Sequence, residues 1–232
     1  MIKMTTVSIR QPGYLPFMGF FKKIQSCDIF VELDDVAYTR SDFDNRNRIR
    51  THDGSMFLTV PVLNKFNQKL NEVKITNNEN WNYKHVKSIQ NNYQKTPYFE
   101  KYYDHIGKII MNQWEKLLDL NLSLIEYIYN ELKLETKIIK SSDLKIDLIG
   151  SEKLLEICKK LNATTYVSGE LGKDYLDEKI FHDAGIKIIY EKFQHPIYRQ
   201  QYEGFVPNLS ILDLLFNEGN NAIDILKKCK NY

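Results

Sequence analysis

The sequence predicts an α/β protein with a mainly parallel sheet, an antiparallel hairpin and a helical insertion. Three observations carry that prediction. Val7–Arg10 reads as a strand, Phe17–Ile24 as a helix and Asp28–Leu33 as a returning strand. Near the other end, Thr164–Val167, a Gly-containing loop, a helix over Asp174–Asp183 and the strand Ile186–Tyr190 repeat the pattern, and parallel pairing through a right-handed crossover is the default for such a unit. Between the two, apolar residues recur every three or four positions, so the middle of the chain is helical.

Each element has a local reason. The first strand breaks at Gln11-Pro12-Gly13-Tyr14-Leu15-Pro16, and the second ends in Asp34-Asp35. Asn45–Ile49 alternates, with Arg46, Arg48 and Arg50 on one face and Asn47 and Ile49 on the other. Asp53-Gly54 marks a turn and Met56–Val62 a return strand, which makes a hairpin; Val73–Ile75 is a further short strand. Trp81, His85, Ile89 and Tyr93 share a helix face that ends at Thr96-Pro97, and Tyr98–Ile110 starts a second helix. Leu118, Leu122, Ile125, Tyr129 and Leu132 form a third stripe. Ser151 is placed to cap a helix carrying Leu154, Leu155, Cys158 and Leu161, and Gly185 stands where a helix C-terminus favours a left-handed residue. Ser210 to Gly219 reads as a capped helix with Ser210 and Asp213 at its start. The expected organisation is a single α/β domain over 1–232 with a helical insertion at 78–135.

The totals exclude several classes. The 32 Lys+Arg nearly balance 30 Asp+Glu, so no bulk field draws the chain to nucleic acid or an anionic membrane, and an anionic ligand needs a local cluster. The three cysteines, Cys27, Cys158 and Cys229, are too widely spaced for a metal motif and fit a reducing cytosol. The amino terminus lacks a signal-peptide core and no apolar run approaches the ~18 residues of a membrane span, so a cytoplasmic location is expected. No histidine pair has helical ligand spacing, so no metal site is recognised, and no Gly-x-Ser-x-Gly elbow points to a serine hydrolase.

Candidate site residues concentrate in the first sixty positions. Asp34 and Asp35 end a strand, where a carboxylate can bind metal, orient an amine or act as base, although Asp is also a good capping residue. Arg46 and Arg48, with Arg40 near in sequence, can fork a diphosphate or a carboxylate, or stand on a solvated edge strand. Asn45 and Asn47 are poor strand formers that need a reason to be there. The Ser168–Lys173 loop, containing Gly169, joins a strand to a helix and is either an anion site or an ordinary turn; its glycines are too close for a Walker loop and Asp174 replaces the metal-binding Ser or Thr. His195 follows a strand, beside Gln200 and Gln201, where a catalytic role competes with a structural one.

Taken in order, Gln11-Pro12-x-Tyr14-x-Pro16-x-x-Gly19, Asp34-Asp35-Val36-x-Tyr38-x-Arg40, Asn45-Arg46-Asn47-Arg48-Ile49 and Leu58-Thr59-Val60-Pro61-Val62 resemble the WbqC-like protein family. So do the helix of His85, Tyr93-x-x-x-Pro97-Tyr98-Phe99, Ser168-Gly169, Tyr175-Leu176, His195-Pro196-x-Tyr198-x-Gln200 and Ser210-x-x-Asp213-Leu214-Leu215-Phe216-Asn217-x-Gly219. Ala37 departs from the family's usual Gln. The resemblance implies a bacterial protein tied to O-antigen or related surface-polysaccharide biosynthesis, with glycine transfer to a sugar amine as its proposed role. It adds Gln11, Tyr14, Tyr38, Tyr175, Tyr198 and Gln200 to the substrate-binding candidates. The first block is also distantly similar to Rossmann-like nucleotidyltransferases of the HIGH class, but their His-x-Gly-His is absent, with Tyr14-Leu15-Pro16 and Gly19 in that region.

The leading expectation is an acyl- or aminoacyltransferase that forms an amide on a nucleotide-linked amino sugar. The arginines would hold the diphosphate, and Asp35 or His195 would take the proton from the attacking ammonium. The acyl donor is left open between ATP-activated acid, aminoacyl-tRNA and thioester, with the near-neutral charge not favouring tRNA. The alternatives are an ATP-dependent ligase or nucleotidyltransferase-like enzyme and a non-catalytic sugar-nucleotide-binding protein. The oligomeric state is open, a homo-oligomer included.

Overall fold

The computed structural model describes residues 4–39, 42–63, 65, 67–77 and 79–229. Arg40, one of the candidate phosphate-binding residues, lies outside them.

Strand β1 (Thr6–Arg10) leads through a proline-rich turn into helix α1 (Met18–Gln25) and then strand β2 (Ile29–Glu32). Hairpin β3 (Arg46–Thr51) and β4 (Gly54–Thr59) follows, its register closing on a two-residue loop, His52-Asp53, between the pair Thr51 and Gly54. Short strands β5 (Val62–Leu63) and β6 (Lys74–Ile75) pair antiparallel. Helices α2 (Trp81–Tyr93), α3 (Phe99–Met111) and α4 (Leu117–Glu131) come next, and the chain returns to the sheet as β7 (Lys137–Lys140). Helix α5 (Gly150–Lys160), strand β8 (Thr165–Gly169), helix α6 (Glu178–Asp183) and strand β9 (Lys187–Glu191) complete the α/β part, and α7 (Ile211–Glu218) and α8 (Ala222–Lys228) end the described chain.

The main sheet has five strands in the order β7-β2-β1-β8-β9, all parallel. From β1 the chain first moves outward on one side and later outward on the other. Right-handed crossovers then require the connecting helices to lie on opposite faces, and two separate cores follow. Val7 and Ile9 of β1 pack with Leu154, Leu155 and Ile157 of α5 and Phe181 of α6. Phe30 of β2 packs on the other face with Phe20, Phe21 and Ile24 of α1 and with the apolar sides of α2, α3, α4, α7 and α8. Each fully buried Phe there contributes about 2–3 kcal/mol relative to an exposed one. The fold is Rossmann-like.

Several details differ from the sequence expectation. Strand β7 lies outside the strands the sequence predicts; it contains only two apolar residues, Ile138 and Ile139, and its identity comes from pairing with β2. Helix α6 begins only at Glu178, because Asp177 accepts a bond from Lys179 N at 3.1 Å and caps it, while Glu170–Asp174 forms a 3₁₀ turn. Ser151 lies inside the first turn of α5 rather than at its cap, and its hydroxyl receives Asp177 N at 3.0 Å. Gly185 has the expected left-handed backbone, φ +71°. Arg50 shares the strand with Arg46 and Arg48 but is buried, donating to the carbonyls of Thr51, Gly54, Glu203 and Gly204. Ser210 does cap α7, whereas Asp213 serves another purpose, described below.

Candidate functional site

Because the connections leave β1 and β8 in opposite directions, the carboxyl ends of these two neighbours diverge and open a crevice, the topological switch point where ligands of open α/β sheets bind. A cleft of about 660 Å³ occupies that place. Its walls carry Arg10 and Gln11 from the end of β1, Lys23 from α1, Ser168 and Gly169 from the end of β8, and Tyr175 beyond the 3₁₀ turn. A second chamber of about 550 Å³ adjoins it, walled by Phe17, Phe20 and Phe193 and by Asp44, Asn47 and Arg48. Arg10, Gln11, Asp42, Glu170 and Leu171 belong to both, so the two are joined at the tip of β1.

The chamber at the switch point is lined by cations and acids together, Arg10, Lys23 and Lys153 with Asp42, Glu170 and Glu191. The Lys23 ammonium is buried, lies 3.7 Å from Glu191 and reaches the Val167 carbonyl at only 3.5 Å. An ammonium has three strong donors, and both of these contacts are long. Burial pulls its pKa down to about 8, with Glu191 opposing the shift and Arg10 adding to it. Lys153, the other buried lysine of the wall, is held more tightly, with Asp35 at 2.7 Å and the Ile146 carbonyl at 3.2 Å. Arg10 stands at the junction with its guanidinium 5.4 Å above the Phe17 ring.

The turn between β1 and α1 is clamped from behind. Tyr14 N donates to the Phe43 and Asp44 carbonyls at 3.1 and 3.2 Å, and a side chain at Gly13 would bring its Cβ within 2.6 Å of the Phe43 oxygen, so only glycine allows the approach. Leu15 is held in the left-handed region, φ +45°, while Asn47 Nδ2 grips its carbonyl at 2.7 Å. Asn121 of α4, fully buried, donates to the carbonyls of Pro12 and Asp44 at 3.0 and 2.8 Å. Asp44 is thereby fixed at the wall of the second chamber. It is buried, its Oδ2 accepts Thr39 N at 3.1 Å, and burial raises its pKa to about 6.

The sequence-predicted residues fall into two groups. Gln11, Asn47, Arg48, Ser168, Gly169 and Tyr175 line the chambers. Asp34 and Asp35 sit one layer out: Asp34 accepts Ser141 Oγ, Ser142 N and Ser142 Oγ at 3.0, 2.9 and 2.7 Å, which ties β2 to the turn after β7. Burial would raise the Asp35 pKa, but bonds from Lys153 and Ser141 outweigh it and hold the carboxyl below its usual range. His195 does not line either chamber; it packs against Phe193, Tyr198 and Phe205, its Nδ1 meets the Pro196 carbonyl at 2.8 Å, and burial lowers its pKa.

The others lie away from both chambers. Tyr14 is fully buried with its hydroxyl 2.9 Å from His85 Nδ1. Tyr38 packs half-buried on the larger core, Asn45 Nδ2 clamps the Val60 carbonyl at 2.8 Å, and Arg46 lies 4.6 Å over the Phe57 ring. Tyr198 and Gln200 both donate to Asp213 Oδ2 at 2.8 Å, and Tyr93 donates to Oδ1 at 3.0 Å, so Asp213 is a buried hub rather than a capping residue.

Sequence reasoning missed Arg10, Lys23 and Asp44. Arg10 ends a strand and Lys23 interrupts the apolar face of α1 between Phe20 and Ile24, so both left a signal. Asp44 left none, being one acid in a polar run. Among the described residues no group of three or more His, Cys, Asp and Glu is placed to hold a metal, and no helix is long and apolar enough to cross a membrane.

The molecule is thus a Rossmann-like α/β protein with a switch-point cleft whose lining includes Arg10, Lys23 and Lys153 together with Asp42, Glu170 and Glu191. Residues 11–225 match the WbqC-like protein family, and the chain belongs to it. It is also similar to the protein called "Uncharacterized protein Rv1507c" of Mycobacterium tuberculosis, 35% identical over 231 residues, which is 98% of this chain and 100% of that one.

Proposed function

We propose that the protein binds a nucleotide-linked amino sugar in the switch-point cleft and transfers an acyl or aminoacyl group, glycyl in the first instance, onto its amine. The observation that carries the reading is the under-coordinated, buried Lys23 facing Arg10 in a cleft at the ends of β1 and β8. That pair supplies the local cationic cluster that the balanced total charge makes necessary for a diphosphate. The diphosphate role expected of Arg46 and Arg48 moves to these two side chains, with Arg48 kept for the neighbouring chamber. Gln11, Ser168, Gly169 and Tyr175 complete the nucleotide's surroundings. Asp35 acts by holding Lys153 in the wall, and His195 by backing Phe193. Membership of the WbqC-like family supports surface-polysaccharide biosynthesis, O-antigen included, as the setting.

The test is a reaction of the protein with a dTDP-linked 4-amino sugar, glycine and either ATP or a preactivated glycyl thioester, read by mass spectrometry. A glycyl adduct from the preactivated donor supports the transferase. Adduct together with AMP from ATP moves the protein to the ligase class. Tight sugar-nucleotide binding with no adduct from any donor would make it a binding protein and overturn the catalytic reading.

A further inference from the structure

We infer that the second chamber is the acceptor-amine subsite, with the Asp44 carboxylate pairing with the sugar ammonium and taking its proton. The inference rests on the proposed function and assigns one residue and one ligand chemistry within it. Three features argue for it. Asp44 is only 5% exposed, yet among the described residues its carboxylate accepts a single backbone N–H, on Oδ2, so a cation arriving from the chamber would find a desolvated carboxylate held in place by the clamp on its own carbonyl. The opposite wall is aromatic, Phe17 edge-on to Phe193 at 5.6 Å, and ring faces carry the partial negative charge that receives the C–H face of a sugar. Arg10 at the junction would meet the phosphate that links this sugar to the nucleotide next door. Arg48 closes the chamber with a buried Nε that has no acceptor among the described residues, a donor for a sugar hydroxyl or the acyl oxygen.

The step balances. The ammonium gives one proton to Asp44; the amine lone pair then forms the C–N bond to the acyl carbon of a thioester or acyl phosphate. The bond from that carbon to sulfur or phosphate oxygen breaks with its electron pair, and the leaving group carries off the second nitrogen proton. A base near pH 6 is matched to this work, and burial places Asp44 there. Among the described residues the charged groups around it are Arg10 from β1, Asp42 from its own loop, Arg48 from β3 and Glu170 beyond β8; Asp42 opposes ionisation and Arg10 favours it.

The experiment compares, by calorimetry on the full chain, a nucleotide-linked amino sugar with its hydroxyl counterpart and with the bare nucleoside diphosphate. The amine form should bind roughly tenfold more tightly at neutral pH, and that preference should disappear as pH falls through about 6, where the carboxylate is protonated. Asp44→Asn should abolish the preference and lower kcat by about 100-fold while leaving nucleoside diphosphate affinity within about twofold. Equal binding of amine and hydroxyl forms by the wild type, or a preference that survives in Asp44→Asn, overturns the inference while the nucleotide reading stands. Failure of the wild type to bind the nucleoside diphosphate overturns both. The wild-type comparison decides the matter even where the variant does not fold.

Discussion

At the residue scale the most exacting expectation concerns Lys23. Burial is the first cause of its lowered pKa, about 8, so the side chain is cationic below that pH and neutral above it. Anion binding that depends on it should therefore be strong at neutral pH and weaken as pH rises through 8. Nucleoside diphosphate affinity of the wild type should fall about tenfold between roughly pH 7 and pH 9.5, and Lys23→Arg, which cannot lose its charge there, should flatten the profile. A flat wild-type profile would remove Lys23 from the phosphate site. Asp213 poses the opposite kind of question. Its carboxylate satisfies the hydroxyls of Tyr93 and Tyr198 and the amide of Gln200 inside the protein. Asp213→Ala should cost about 3–5 kcal/mol in urea unfolding because it strands buried donors, whereas Gln200→Ala should lower stability without touching ligand affinity. The sequence marked both Asp213 and Gln200 as notable but not why, since a buried polar hub and a binding residue use the same side chains.

At the element scale, the expected sheet and helices are largely present because each has its own periodicity. Trp81, His85, Ile89 and Tyr93 are all buried on one side of α2, as a 3.6-residue repeat requires. What escaped is what depends on neighbours. Strand β7 is four residues with lysines at both ends, a composition that suits a protected sheet edge but has no independent strand signature. Its position matters, because the turn that follows it is tied to the end of β2 by Asp34, and Asp35 then positions Lys153. Asp34→Ala should leave the Ser142 N–H and hydroxyl without their acceptor while Ser141 keeps Asp35, cost about 1–3 kcal/mol and weaken nucleotide binding by loosening that wall. An unchanged denaturation midpoint with unchanged affinity would show that β7 needs no such tie. The candidate site was half legible for the same reason: residues at strand ends, such as Gln11 and Ser168, line the cleft, whereas Asp44 is set in the wall of the second chamber by bonds to its carbonyl from Tyr14 and from Asn121, some eighty positions later.

At the scale of the whole molecule, the sheet order joins segments that are distant in sequence, β1 pairing directly with β8, and so the cleft exists only when both ends of the chain have folded together. The charge balance acts at this scale too. With a net charge of +2, the protein has no field to hold a long polyanion, and the cations lining the cleft are few, the buried Lys23 and Lys153 and the more exposed Arg10. In the proposed reading a diphosphate would meet Arg10 and Lys23; a tRNA would need a basic surface many times larger. Two measurements follow. Nucleotide affinity should depend on salt with a log–log slope of about −2 or shallower, where a footprint of six or more phosphates would give about −4 or steeper. Acyl transfer should also proceed unchanged after ribonuclease treatment of protein and substrates, because the donor's recognition would rest on its activated carbonyl and not on an RNA. A steep slope together with loss of activity after ribonuclease would identify aminoacyl-tRNA as the donor. The nucleotide cleft would then be only part of the binding surface, and the rest of that surface would have to be sought outside the two chambers.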